Sequence, residues 1–132
     1  MRGAEAAAGW RHARGHAASL AWTWLETQST LLSGYEGKYA LLAPRRVLAA
    51  QGRLVLGRGV AAGAAFRYLA HGGGPDPFRH QASLDLRADW EAPGGRWFVG
   101  VVLTNALDRA REEVPGVSLP GRLLTTTLGR RF

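Results

Sequence analysis

The chain has 132 residues, room for one domain or one piece of a larger one, with 46% hydrophobic and 20% charged residues. It contains no Cys, which excludes a disulfide scaffold and a Cys-ligated metal site. Its 17 basic and 10 acidic residues give a formal net charge of +7, but the Arg residues are spread along the whole chain rather than gathered into a nucleic-acid-binding block.

No run of about 18 apolar residues occurs, so no transmembrane helix is encoded. The opening Met1-Arg2-Gly3-Ala4-Glu5 lacks the basic-then-apolar build of a signal peptide, and is not expected to export the chain by itself. Ala-rich residues 3–12 favour helix by propensity, yet Ala4, Ala6, Ala8 and Trp10 share one parity while Glu5, Gly9 and Arg11 share the other. Residues 17–27 alternate in the same way, Ala18, Leu20, Trp22 and Trp24 against Ser19, Ala21, Thr23 and Thr27. In residues 47–56, Leu48, Ala50, Leu54 and Leu56 oppose Gln51 and Arg53; in 60–70, Val60, Ala62, Ala64, Phe66 and Tyr68 oppose Gly63 and Arg67. Residues 83–91 alternate without exception, with Leu84, Leu86, Ala88 and Trp90 set between Ser83, Asp85, Arg87, Asp89 and Glu91. Residues 96–105 are Val-rich and strand-like but apolar on both parities, so their face is ambiguous. Residues 122–132 place Leu124, Leu128 and Phe132 on one parity, with Thr126 between. The reading is all-β: an antiparallel up-and-down meander of about seven strands of roughly 10 residues, long enough to cross a bilayer at a tilt.

The connections alternate in length. Ala13-Arg14-Gly15, Gly57-Arg58-Gly59 and Ala92-Pro93-Gly94-Gly95 are short turns, whereas residues 28–45, 71–81 and 106–121 form longer loops. Outer-membrane barrels sort their connections in this way, short turns facing the periplasm and long loops outside. With that orientation Trp10, Trp90, Trp97 and Phe132 fall near the periplasmic strand ends, and Trp22, Trp24, Phe66 and Tyr68 near the outer ends. Two aromatic groups, one per interface, match the girdles of a membrane barrel. The charged parity (Glu5, Arg11, Arg53, Arg67, Asp85, Arg87, Asp89 and Glu91) then faces a polar lumen, because each Arg at the midplane of the lipid face would cost about 2–4 kcal/mol. Arg122 and Arg130 fall on the lipid parity, close enough to strand ends to snorkel.

The end of the chain carries more specific sequence. Residues 97–109, Trp-Phe-Val-Gly-Val-Val-Leu-Thr-Asn-Ala-Leu-Asp-Arg, resemble the penultimate strand of TonB-dependent receptors and its Asn-Leu-Phe-Asp-like close. Residues 112–122 resemble that family's last outer loop, in which Pro120-Gly121-Arg122 opens the final strand, and Leu128-Gly129-Arg130-Arg131-Phe132 resembles its finish on a C-terminal aromatic. Upstream, Arg2-Gly3-Ala4-Glu5 resembles the Gly-x-Glu start of an earlier strand, and residues 22–27 resemble a Tyr-Thr-Tyr-Leu-Asp-like strand end. Two departures stand out: Ala106 and Leu107 replace the common Leu-Phe, and Arg130 sits where an aromatic is usual. The resemblance implies that residues 1–132 are the C-terminal part, roughly the last third, of a 22-stranded outer-membrane barrel. The plug domain, the energy-coupling motif and the earlier strands would lie outside it. It implies an active importer of ferric siderophore, cobalamin or haem, powered by the TonB system through N-terminal regions that these residues do not include.

The site expectations follow from that reading. Asn105, Asp108 and Arg109 anchor the entry to the last loop, Pro120, Gly121 and Arg122 open the last strand, and Phe132 is the signal read by the barrel-assembly machinery. Tyr35, Lys38 and Tyr39 in the longest loop are candidates to touch substrate. His71 and His80 flank an outer loop with Asp76, but two His nine apart in a loop are expected to be solvated rather than metal-bound. No nucleophile–base pair, glycine phosphate loop or zinc spacing is present, so the chain reads as a non-enzyme without cofactor. The basic surplus fits lumen charge and attraction to anionic lipopolysaccharide rather than nucleic acid. Two alternatives remain: another outer-membrane barrel, small structural, adhesive or porin-like, and a soluble basic β-protein that binds nucleic acid.

Overall fold

A computed structural model describes residues 2–26, 43–73 and 76–132. Nine strands occur among them: β1 (Arg2–Arg11), β2 (Ala17–Glu26), β3 (Pro44–Gly57), β4 (Val60–His71), β5 (His80–Glu91), β6 (Trp97–Thr104), β7 (Glu112–Val114), β8 (Val117–Ser118) and β9 (Leu123–Arg130). Seven of them form one antiparallel sheet in the order β1-β2-β3-β4-β5-β6-β9, so each strand pairs with its neighbour in the chain. The sheet does not close: β1 and β9 are free edges. No described residue is helical, and period two prevails over the helix propensity of the Ala-rich β1.

The seven long strands sit where alternation places them, with shifts at their ends. β3 begins at Pro44 rather than at 47, which brings Arg46 into the strand, and β5 begins at His80 rather than at 83. The last long loop contains the small β7–β8 hairpin, closed by Glu112↔Ser118 and Val114↔Val117. Pro115-Gly116 provides its turn, with Gly116 at φ 85°.

The short turns are built from left-handed residues. Gly57, Arg58 and Gly59 have φ of 89°, 53° and 77°, and the β3–β4 register shifts between Val55 and Gly57. At Gly59 any Cβ would collide with the Glu91 carbonyl, while its own carbonyl accepts the Glu91 N–H at 2.9 Å. That close approach locks the β3–β4 turn to the end of β5, and only glycine allows it.

The sheet has almost no core. Among the described residues the buried apolar side chains are Ala61, Ala70 and Phe78. Among the described residues neither face is covered by a second layer, whereas a soluble domain buries at least one face of every sheet against another element.

Candidate membrane face and outer clamp

Register turns the sequence alternation into two continuous surfaces. The rows Ala6–Trp22–Leu48–Tyr68–Ala82 and Val60–Trp90–Val99–Leu128 run across neighbouring strands on one face. Pairing also settles the ambiguous sixth strand. Val99 lies opposite Trp90 and Leu128, and Leu103 opposite Leu86 and Leu124, so Trp97, Val99, Val101 and Leu103 join the apolar face. This face stands open: Leu20 is 51% exposed, Leu124 63% and Leu128 70%. A contiguous apolar surface spanning seven strands far exceeds what a soluble monomer leaves in water.

The aromatics on this face follow an oblique line. Strand pairing carries Trp10 across the sheet to Ala18, Gly52, Ala64, Leu86, Leu103 and Leu124. The aromatics nearest the turn end lie progressively beyond that row. Trp90 is four residues past Leu86 on β5, Trp97 six past Leu103 on β6, and Phe132 eight past Leu124, just beyond β9. The line therefore slips by about 1–1.3 residues per strand, always toward the turns. With about 3.35 Å per residue and 4.8 Å between strands, this slip is a strand tilt of about 35–43°. Membrane barrels tilt their strands by about 35–45°.

The loop end repeats the pattern independently. Trp22 is in row with Leu48 and Tyr68, and Trp24 with Arg46 and Ala70. A slip of one residue per strand over two strands matches Trp22 with Phe66 and Trp24 with Tyr68. Both aromatic lines thus follow one plane each when the strands are tilted by the same amount.

The opposite face is polar and lines an open concavity of about 1010 Å³, walled by Arg11, Arg53, Asp85, Arg87 and Asp89 over a floor of Gly9, Gly63 and Ala65. Arg87 grips Asp89 with two bonds, Nε–Oδ2 at 2.6 Å and Nη2–Oδ1 at 2.8 Å. Arg87 and Asp89 form an ion pair here, and the small residues of the floor leave room above the sheet. No group of three potential metal ligands occurs among the described residues.

At the loop end of the same face a buried polar clamp ties two connections together. Gln81 Nε2 donates to the carbonyls of Phe78 (3.2 Å) and Glu112 (2.8 Å), and its Oε1 accepts the Glu112 N–H at 3.2 Å. One buried side chain thereby joins the 71–80 segment to the last loop. Phe78 is 1% exposed and stacks on His71 at 4.1 Å between ring centres; His71 Nδ1 bonds the Phe78 carbonyl at 2.9 Å. His80 Nδ1 bonds the Tyr68 hydroxyl at 3.0 Å. Both histidines sit at strand ends, His71 buried against Phe78 rather than solvated and His80 exposed to solvent as expected, because β4 and β5 run longer than the alternation placed them.

The residues expected to anchor the last loop lie at its mouth. Asn105 is 0% exposed at φ 51°; its N–H donates to Asp85 Oδ1 at 2.8 Å and its Nδ2 to the Arg109 carbonyl at 3.0 Å. Asp108, at φ 52°, accepts the Arg122 N–H at 3.0 Å and lies 3.5 Å from its guanidinium. Entry to and exit from the last loop are therefore tied directly. Arg109 contributes its carbonyl, the Pro120 carbonyl accepts a bond from Arg111 at 3.3 Å, and a Cβ at Gly121 would press on Asp108 at 3.2 Å. Gln81 and Phe78 were not singled out from the sequence, which placed both in the 71–81 loop, and Asp85 was read only as one of the lumen-facing charges. Tyr35, Lys38 and Tyr39 lie outside the described residues.

Compared with known proteins, the chain matches no protein-family model, no curated protein and no solved structure.

Proposed function

We propose that this chain is a wall segment of an outer-membrane β-barrel, the C-terminal part of a TonB-dependent receptor. In its full-length form that receptor would take up a ferric siderophore, cobalamin or a similar scarce nutrient. The observation that carries the membrane reading is the uncovered apolar face bounded by two aromatic lines, both consistent with a single strand tilt of about 35–43°. The narrower family reading draws its support from the resemblance of residues 105–132, chiefly Pro120-Gly121-Arg122 and the final Phe132. The clamp of Asn105, Asp108 and Arg122 adds to it, a physical role for those motif residues at the mouth of the last loop.

The strand count supports a single larger barrel over a ring of identical copies. Seven strands in an antiparallel meander leave β1 and β9 running in the same direction. Copies inserted in one orientation would have to join by parallel pairing, whereas a complement with an odd number of strands pairs antiparallel at both edges. A 22-strand barrel asks for 15 more, which is odd. Because open edges are not tolerated in lipid, the seven strands alone transport nothing.

The test has two arms. Produced without detergent, the chain should aggregate or associate with membranes; a monodisperse soluble monomer would contradict the membrane reading. The coding sequence upstream of Met1 is expected to hold a plug and further strands in frame, or a frameshift that separates them. Upstream sequence that encodes neither would remove the receptor reading while leaving the barrel reading intact.

A further inference from the structure

Two consecutive arginines at the end of the last long strand meet different surroundings. Arg131 turns to the polar face, where its Nη1 donates to Glu91 Oε1 at 2.7 Å. Arg130 faces the apolar side, opposite Trp97 across the β6–β9 pair. Its guanidinium carbon stands 5.3 Å from the centre of the Trp97 ring and 5.0 Å from that of Phe132, within cation–π range of both. The ion pairs among the described residues are Arg87–Asp89, Arg122–Asp108 and Arg131–Glu91, so Arg130 has no carboxylate partner there.

We propose that Arg130, flanked by Trp97 and Phe132, is a docking point for the phosphate of an anionic lipid headgroup. This inference rests on the membrane reading above. Trp97 and Phe132 belong to the turn-end aromatic line, so Arg130 lies at headgroup depth, where lipid phosphates concentrate. A cation on a lipid-facing surface needs a counter-charge, and among the described residues a carboxylate pairs with Arg131 but none with Arg130. The rings hold the guanidinium in place, and its planar fork of N–H donors matches a phosphate bidentately. In a zwitterionic headgroup the same phosphate is already neutralised by its own cation, so the site favours a lipid with net negative charge. Arg130 thereby has a role at a position where the family resemblance leads one to expect an aromatic.

The test uses the whole 132-residue chain in detergent micelles doped with brominated phosphatidylglycerol or brominated phosphatidylcholine, read by quenching of tryptophan emission. One arginine at a lipid surface corresponds to a preference of about fivefold, seen as half-maximal quenching at a correspondingly lower fraction of phosphatidylglycerol. Arg130→Gln should abolish that preference, Arg130→Lys should retain part of it, and Arg131→Gln should leave it intact. Equal quenching of the unmodified chain by both lipids, or a preference that survives Arg130→Gln, would overturn the site while leaving the membrane reading standing. Quenching by neither lipid would overturn both.

Discussion

The same seven strands build two faces held by different forces. On the polar face the contacts are specific: the Arg87–Asp89 fork, the Glu91–Arg131 pair, and the Gln81 and Asn105 bonds that tie the last loop down. On the apolar face the side chains stand open in parallel rows, and the polar contact made there, Tyr68 to His80, lies at the loop end. In a soluble sheet the apolar side is the one that gets covered. Here it is left open, which supports the proposal that it faces lipid. Under the membrane proposal, specific bonding lies on the side where water is available.

Substitutions that exchange the two faces should break this comparison most sharply. Ala64 and Ala65 are adjacent and both exposed, yet Ala64 lies between Gly52 and Leu86 on the apolar face, and Ala65 between Gln51 and Asp85 on the polar one. Ala64→Arg is expected to cost about 2–4 kcal/mol in a denaturant titration of the chain in micelles. Ala65→Arg should stay within about 0.5 kcal/mol, because its charge remains in water beside an acidic residue. Equal costs at the two positions would mean that the faces do not meet different solvents.

Next in size come the buried polar bonds at the loop end. Asn105→Ala removes a wholly buried amide and places a Cβ-bearing residue without that anchor at φ 51°. A loss of about 2 kcal/mol is expected, with faster proteolysis between residues 106 and 121. Gln81→Leu leaves the Glu112 N–H without its Oε1 acceptor and cuts the tie between the two loops; about 1–2 kcal/mol is expected, again read by proteolysis of the last loop. Should either variant leave loop cleavage unchanged, the clamp does not order that loop. Smallest is Arg87→Gln, which breaks a geometrically good but exposed pair and should shift the denaturation midpoint less than any of these, by an amount that shrinks as salt is added.

Much of the wall was legible in the sequence, because one face of a strand writes itself out with period two and the turns carry Gly and Pro. The alternation in β5 is complete, and that strand appears where it was read, extended upstream to His80. β6 could not be assigned a face because both its parities are apolar; only its pairing with Trp90 and Leu128 decides it. The strand tilt was hidden for a related reason: it is a relation between residues on different strands and needs the register. The outer clamp was the least legible part. Gln81 and Glu112 are 31 residues apart, and a lone Gln at a strand start carries no sign of a partner that distant. Asn105 lies at the entry to the last loop, and its complete burial and left-handed backbone belong to the fold rather than to any local sequence signal.

The absence of any native cysteine allows the two-faced wall to be tested directly. Single cysteines at residues 62–65 on β4, 84–88 on β5 and 98–102 on β6, with the chain in micelles, would be exposed to a charged, water-soluble thiol reagent. The apolar-face positions, Ala62 and Ala64, Leu84, Leu86 and Ala88, then Val99 and Val101, should be protected, and their neighbours labelled. The protected set therefore switches from even to odd numbers between β5 and β6. Equal labelling on both parities, or an alternation that keeps one phase through all three strands, would contradict the account.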